Sequence, residues 1–468
     1  MKLQRLVWTG GAGTPMGRML AAGALVWLAY AMLQLGLDGP VLDEAVVPAQ
    51  IITGAVSYPP GHPLAVFCEG AASLSYWLAA VTWRLWPDAW ALSAGRNVVF
   101  LFASAFTPFA LVCLLTGRPA WGHVATALTL SEAATRFIGV YLLWVFPAYY
   151  SSGHLGIHAA VLAAALLMAG CVRTAALLLG IMPVLHVAMM LVAWPWAALY
   201  LLARVRGRAW RPILVWSGVG IVISAAVVLA TKVLVPAVVP VPPYDGTADG
   251  ARILAMFEAT TDPHRQPIRL LSSAYLTSPI AFVLLSALVV AGAGARARDR
   301  MWLLLPGFIA WAYVFGARAL DALPGGTPFL VQAVMPGRYA NLAVLYLLPL
   351  TVTAYVEATA RLAPDARRMA HVLLTALLVV EVALVLVDRR LAVGHFIWAV
   401  WGLLLAVEAV AADTTVRRRL VGIGGVALAA SLLVLRLRTG EAGLGAFAAA
   451  LVAGVAGLVL APRVPLLG

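Results

Sequence analysis

Charge is what this chain has least of. Only 11% of its 468 residues are Asp, Glu, Lys or Arg, 63% are hydrophobic, and the mean hydropathy is +0.95. Soluble globular domains carry about a quarter charged residues. A single soluble domain is therefore excluded, and the composition is that of a polytopic membrane protein. Cysteine is nearly as scarce. Cys68, Cys113 and Cys171 form no CxxC and no even framework, which excludes a disulfide scaffold and a cysteine zinc site. No GxxxxGK[ST] run occurs, so a phosphate-cradling P-loop is absent. No polar stretch is long enough for a separate soluble domain.

What charge there is is mostly arginine. Apart from Lys2 and Lys232 every basic side chain is Arg, and the formal net charge is +13. The Arg clusters are short and separated by apolar runs, which suits the cytoplasmic loops of the positive-inside rule and not a nucleic-acid surface. Met1–Arg18 carries Lys2, Arg5 and Arg18 with no small-x-small cleavage site after it, and reads as the inside end of an uncleaved anchor.

Apolar runs of about 20 residues mark the spans. They are Met19–Leu37, Asn97–Leu115, Trp121–Val145, Ile157–Gly170, Ile213–Leu234, Ala274–Gly292, Met301–Ala319, Ala340–Val356, Met369–Val387, Leu391–Ala411, Leu420–Leu435 and Ala442–Ala461. Leu64–Trp86 holds Glu69, Ser73, Ser75, Thr82 and Arg84 among Tyr76, Trp77, Trp83 and Trp86. It reads as an interfacial helix, because counting it as a span would invert every later Arg cluster. Between Arg173 and Arg204 an even number of crossings must fit in about 30 residues. Pro183 and Pro195 are expected to break that segment into two short or re-entrant helices, with His186 at the outward tip. The sum is an all-α fold of about 14 transmembrane helices, with juxtamembrane helices in the first exterior loop.

The segment from Gly36 to Arg96 concentrates the unusual residues. Asp43 and Glu44 follow the first span directly, and carboxylates near hydrocarbon are costly unless they work. Tyr58-Pro59-Pro60-Gly61-His62 and Arg96-Asn97 follow. On the same side the reading places His154, His158, Asp262, His264, Arg265, Arg269, Arg338 and Asn341. Asp43 or Glu44 can deprotonate a hydroxyl, or can simply cap a loop or pair with Arg. Arg265, Arg269 and Arg338 can fork a phosphate or snorkel to headgroups. His264 can donate a proton or sit solvated. His62 beside its Pro-Pro turn can contact substrate, and His186 fits a buried, hydrogen-bonded cavity lining. His154 and His158 share a helix face at i, i+4, a spacing that suits a metal, but no third ligand is evident. Glu132 and Arg136 read as an ion pair within the third span.

An acidic pair after the first span, a Tyr-Pro-Pro stretch, an aromatic juxtamembrane helix and an Arg opening the second span together resemble the GT-C superfamily of membrane glycosyltransferases. Ser152-Gly153-His154-Leu155-Gly156, Leu179–His186 and Asp262-Pro263-His264-Arg265 resemble its uncharacterised bacterial members. The likeness covers Met19 to Tyr355. It implies a catalytic core over 1–356, with exterior loops 38–96, 235–273 and 320–339, and scaffold helices over 357–468. It further implies a polyprenyl-phosphate-linked sugar donor and a glycan, lipid or protein acceptor. The site would face the exterior of a bacterial inner membrane, with Asp43 as base, Glu44 as its helper and, in some members, a divalent cation such as Mg or Mn. The rival readings are a transporter or flippase, which predicts paired broken helices, a glycan polymerase or ligase, and a membrane assembly factor.

Overall fold

The computed structural model describes residues 15–58, 72–130, 152–207, 210–234, 296–324 and 339–387, with 279, 282, 283, 286, 287, 289, 290, 293, 328 and 331. The regular elements among them are all helices. They are α1 (Pro15–Asp38), α2 (Val46–Thr53), α3 (Leu74–Leu85), α4 (Ala89–Thr116), α5 (Pro119–Leu130) and α6 (Ser152–Ala169). There follow α7 (Val172–Leu185), α8 (Val187–Arg204), α9 (Trp210–Leu234), α10 (Ala297–Asp321), α11 (Ala340–Thr359) and α12 (Pro364–Val387). Five of these, α1, α4, α8, α9 and α10, are long and apolar enough to cross a bilayer. The expected spans Leu391–Ala411, Leu420–Leu435 and Ala442–Ala461 lie outside the described residues.

Leu64–Trp86 is described as a helix only over α3, whose 12 residues rise about 18 Å and fall short of a bilayer core. One face of α3 is buried. Tyr76, Ala79 and Ala80 pack with Ala45, Val46 and Ala49 from the start of α2 and with Leu92 of α4. Gly54 ends α2 at φ 73°, returning its N–H to Gln50 and Ile51. Two short helices thus lie over the end of the bundle where α1 stops and α4 starts. Trp77 ties them to the end of α9, its Nε1–H donating to Thr231 Oγ1 at 2.8 Å.

The second span begins earlier than the apolar run suggests. Asp88 caps α4, its carboxylate accepting from the Ala91 N–H at 2.6 Å, so Arg96 and Asn97 lie two turns inside the helix.

The break between Arg173 and Arg204 falls at His186, whose extended backbone (φ −166°, ψ 103°) separates α7 from α8. Pro183 and Pro195 both lie inside helices, which corrects the expectation that they make the breaks. At 18 residues α8 is also no fragment, although α7 has 14. The reason lies in where the prolines' missing hydrogen bonds go. A helical proline frees the carbonyl four residues back. Pro183 frees Leu179 O, which accepts from Trp194 Nε1–H at 2.9 Å. Pro195 frees Leu191 O, which accepts from the Tyr313 hydroxyl at 3.0 Å. Pro306 in α10 frees Trp302 O, which accepts from Trp196 Nε1–H at 2.7 Å. Donors from α8 and α10 satisfy all three freed groups, which hydrocarbon could not.

Small residues bring the backbones of α7 and α9 together. A Cβ on Gly180 of α7 would lie 2.5 Å from Ser217 O of α9, and one on Gly220 would lie 2.7 Å from Gly180 Cα. Ser224 closes the contact, donating to Gly180 O at 2.9 Å.

At the opposite end of the bundle from α2 and α3 lie the ends of α4, α6, α8 and α11 and the starts of α5, α7, α9, α10 and α12. Arg118, Arg173, Arg204, Arg206, Arg211, Arg296, Arg298, Arg300, Arg361, Arg367 and Arg368 all sit there. Arg204 pairs with Asp299 at 2.5 Å. Arg296 and Arg300 share Glu357 at 3.0 and 2.6 Å. Arg367 caps α11, donating to the carbonyls of Thr359, Ala360 and Leu362.

Candidate functional site

Asp43 turns back on its own chain. Its Oδ1 accepts from the Ala45 N–H at 2.7 Å, the two-residue side-chain turn that short carboxylates favour. The same oxygen accepts from Arg96 Nε–H at 2.5 Å. The Asp43 N–H donates to Ser93 Oγ at 2.9 Å, and the Val41 N–H donates to Asn97 Oδ1 at 2.8 Å. Two residues of α4 one turn apart therefore hold the strand of chain that leaves α1. Arg96 reaches the other way as well, its Nη1–H donating to Ser75 O in α3 at 3.1 Å. Its Cζ lies 5.2 Å over the Phe100 ring.

The ion pair is buried. The Asp43 side chain is 0% exposed and that of Arg96 12%. Five polar atoms in this knot find no hydrogen-bond partner among the described residues: Asp43 Oδ2, Arg96 Nη2, Asn97 Nδ2, Ser73 Oγ and Ser75 Oγ. Buried polar atoms are rarely left so. Ser73 is the more telling because it stands at the N-cap of α3 in extended conformation, yet its hydroxyl makes no capping bond.

Glu44, one residue on from Asp43, is exposed. His154 and His158 are buried on α6, and His158 Nε2 lies 3.0 Å from Ser104 Oγ of α4. Ser104 is eight residues beyond Arg96, roughly 12 Å further along the helix. His186 packs its Cβ against Gly156, where a Cβ would stand 2.3 Å away. For Asn341 the backbone alone is described, in the first turn of α11. Beside it Tyr339 is fully buried with its ring 5.3 Å from that of Tyr313, and burial pushes its hydroxyl pKa up, so it stays protonated. His62, His264, Arg265, Arg269 and Arg338 lie outside the described residues, as do Glu132 and Arg136. Of the expected site residues, then, the structure brings Asp43 and Arg96 into contact and seats His158 deeper in the bundle.

Among the described residues no three His, Cys, Asp or Glu side chains converge, and the His154–His158 pair gains no third ligand.

Ser73, Ser75, Ser93 and Asn97 were not singled out as site residues from the sequence. A signal for two of them was present. Ser93, Asn97, Ser104 and Thr107 recur at helical spacing along an otherwise apolar α4, and all four are buried. No family model, no curated protein and no solved structure matches the chain.

Proposed function

We propose that this chain is a membrane glycosyltransferase of GT-C type, moving a sugar from a polyprenyl-phosphate donor to an acceptor hydroxyl on the exterior face of a bacterial inner membrane. One observation carries the reading: the Asp43 carboxylate is divided. Oδ1 is engaged by Arg96 and by the Ala45 N–H, while Oδ2 is buried and takes no partner among the described residues. A general base needs this combination of a fixed carboxylate and one open oxygen. Arg96 acts as a positioning residue. In the reaction Oδ2 takes the proton of the acceptor hydroxyl as the hydroxyl oxygen attacks the anomeric carbon. The bond from that carbon to the phosphate oxygen breaks, and polyprenyl phosphate leaves. Arg265, Arg269 and Arg338, with His264, are assigned to the phosphate, for which guanidinium forks are suited. The arginine-rich end of the bundle would face the cytoplasm, which puts Asp43 outside.

Asp43→Asn should abolish transfer from a polyprenyl-phosphate sugar in proteoliposomes while leaving expression intact. Arg265→Ala should raise the apparent KM for the lipid donor, and an unchanged value would remove it from the phosphate site.

A second reading has its own support. Complete burial of the Asp43 side chain also suits an ion pair that only clasps the first loop to α4. The double variant Asp43→Asn/Arg96→Gln separates the two, because it keeps a neutral hydrogen-bonded pair. The transferase reading expects a folded, inactive protein; recovered transfer would leave only the clasp.

A further inference from the structure

We propose that the crevice between α5, α11 and α12 holds an acyl chain of one anionic phospholipid, taken from the leaflet at the arginine-rich end of the bundle, with the lipid phosphate beside Arg118. The inference does not depend on the transferase reading, because the crevice lies toward the end of the bundle away from Asp43.

The walls come first. Val124 and Leu128 of α5, Val352 of α11 and Leu374 of α12 line about 260 Å³ of partly open space. Thr351 lines it too, but its hydroxyl is engaged, donating to Leu347 O at 2.8 Å. The lining surface is wholly apolar. It offers a water none of the several polar partners that one needs, whereas an alkyl chain needs none. From Trp121 to Leu128 α5 rises about 10 Å, most of the depth of one leaflet's hydrocarbon. The loose packing of α12 leaves the space. Of its side chains described, over 364–375, only Ala370 and Leu374 are buried, while Met369, Val372 and Leu373 are exposed.

The arginine-rich end of the crevice carries headgroup chemistry. Trp121 and Tyr355, which line it there, form a trio with His371, the Trp121 ring centroid lying 5.3 Å from each of the other two. The Tyr355 hydroxyl is 3.3 Å from His371 Nδ1. Rings with an apolar body and a polar edge gather at the depth where chain meets headgroup. Arg118 and Arg367 both lie close enough to act on the charge of His371, which puts two guanidinium groups beside the trio. Arg367 is held by the carbonyls at the end of α11. Arg118 is exposed and takes no ion pair among the described residues, so its fork is open to a phosphate. The balance of charge favours an anion. Arg118, Arg361, Arg367 and Arg368 stand against Asp365, while Glu357 is taken by Arg296 and Arg300. Basic rims between membrane helices select anionic over zwitterionic headgroups.

The test uses the full-length protein, stripped of lipid in detergent, and reads native mass spectra and thermal unfolding. Phosphatidylglycerol is titrated against phosphatidylcholine with the same chains and against inorganic phosphate. One phosphatidylglycerol should be retained per protein and should raise the melting temperature saturably. Phosphatidylcholine should bind about fivefold more weakly or less tightly still, and phosphate should have no effect. Arg118→Gln should weaken phosphatidylglycerol about fivefold, the usual effect of one basic residue at a headgroup. Arg211→Gln, at the same end but on α9, which does not line the crevice, should leave the affinity unchanged. Val124→Phe, which fills the crevice from α5, should prevent retention and leave the lipid-free melting temperature unchanged or raised. The proposal is overturned if no lipid is retained saturably, if phosphatidylcholine binds as well as phosphatidylglycerol, if phosphate alone gives the shift, or if Val124→Phe binds as wild type does. It is equally overturned if Arg211→Gln weakens binding as much as Arg118→Gln, which would show only diffuse attraction to a basic surface. Should Val124→Phe fail to fold, the comparison of Arg118→Gln with Arg211→Gln decides alone.

Discussion

At the scale of single residues, Arg96 explains more than Asp43 does. One guanidinium joins the turn after α1, the start of α3 and the body of α4, using Nε and Nη1 for different partners. Lysine has one ammonium and no fork, so Arg96→Lys should keep the charge and lose the geometry. Arg96→Leu should cost about 3–5 kcal/mol, because it strands a buried carboxylate without its cation. Chemical unfolding in detergent measures both, with Arg96→Lys falling between Arg96→Leu and wild type. A loss under about 1 kcal/mol for Arg96→Leu would mean that Asp43 is neutral or solvated in the native state. The acidic residue was legible in the sequence because a carboxylate beside a span is conspicuous. Its partner was legible as an unusual Arg, but the pairing was not, since Asp43 and Arg96 are separated by a whole loop.

At the scale of elements, the three proline sites show why the break was misplaced. Sequence rules treat a helical proline as a stop because they assume the freed carbonyl has no other partner. Here an indole or a phenol from another helix supplies it, at Leu179, Leu191 and Trp302. Trp196→Phe should therefore cost about 1–3 kcal/mol by orphaning the Trp302 carbonyl. The same substitution in a Pro306→Ala background should cost less, because residue 306 then supplies its own N–H. A double-mutant cycle on unfolding free energies gives the coupling. Equal cost in both backgrounds would show that Trp196 acts by packing alone. His186, unremarkable in a propensity scale, is where the chain yields, beside a glycine that leaves it room.

At the scale of the whole molecule, the described helices gather most of their arginines at one end and their short covering helices at the other, where Arg84, Arg96 and Arg318 lie. This predicts sidedness directly. Ser57→Cys and Ala366→Cys place thiols at exposed positions on the two ends. In sealed, right-side-out vesicles a membrane-impermeant maleimide should label the first and spare the second until the vesicles are opened. Labelling of both from the same side would contradict the arrangement. Close approach of α7 and α9 is the second feature at this scale. Gly180→Leu puts a side chain where a Cβ already collides with the Ser217 carbonyl, and folded yield by size-exclusion chromatography should fall sharply.

Composition alone determined that this is a helical membrane protein, because hydrocarbon admits so few alternatives for a chain this poor in charge. The length of the apolar runs located four of the five described helices that are long enough to cross, α1, α4, α9 and α10. Tertiary structure decided the contents of the site. Asp43, the pair Ser73 and Ser75, and the pair Arg96 and Asn97 come from three separate segments, and a hydroxyl becomes conspicuous only when burial removes the water that would have satisfied it. Neither its residue type nor its spacing carries that information; the packing of α2 and α3 over the start of α4 does.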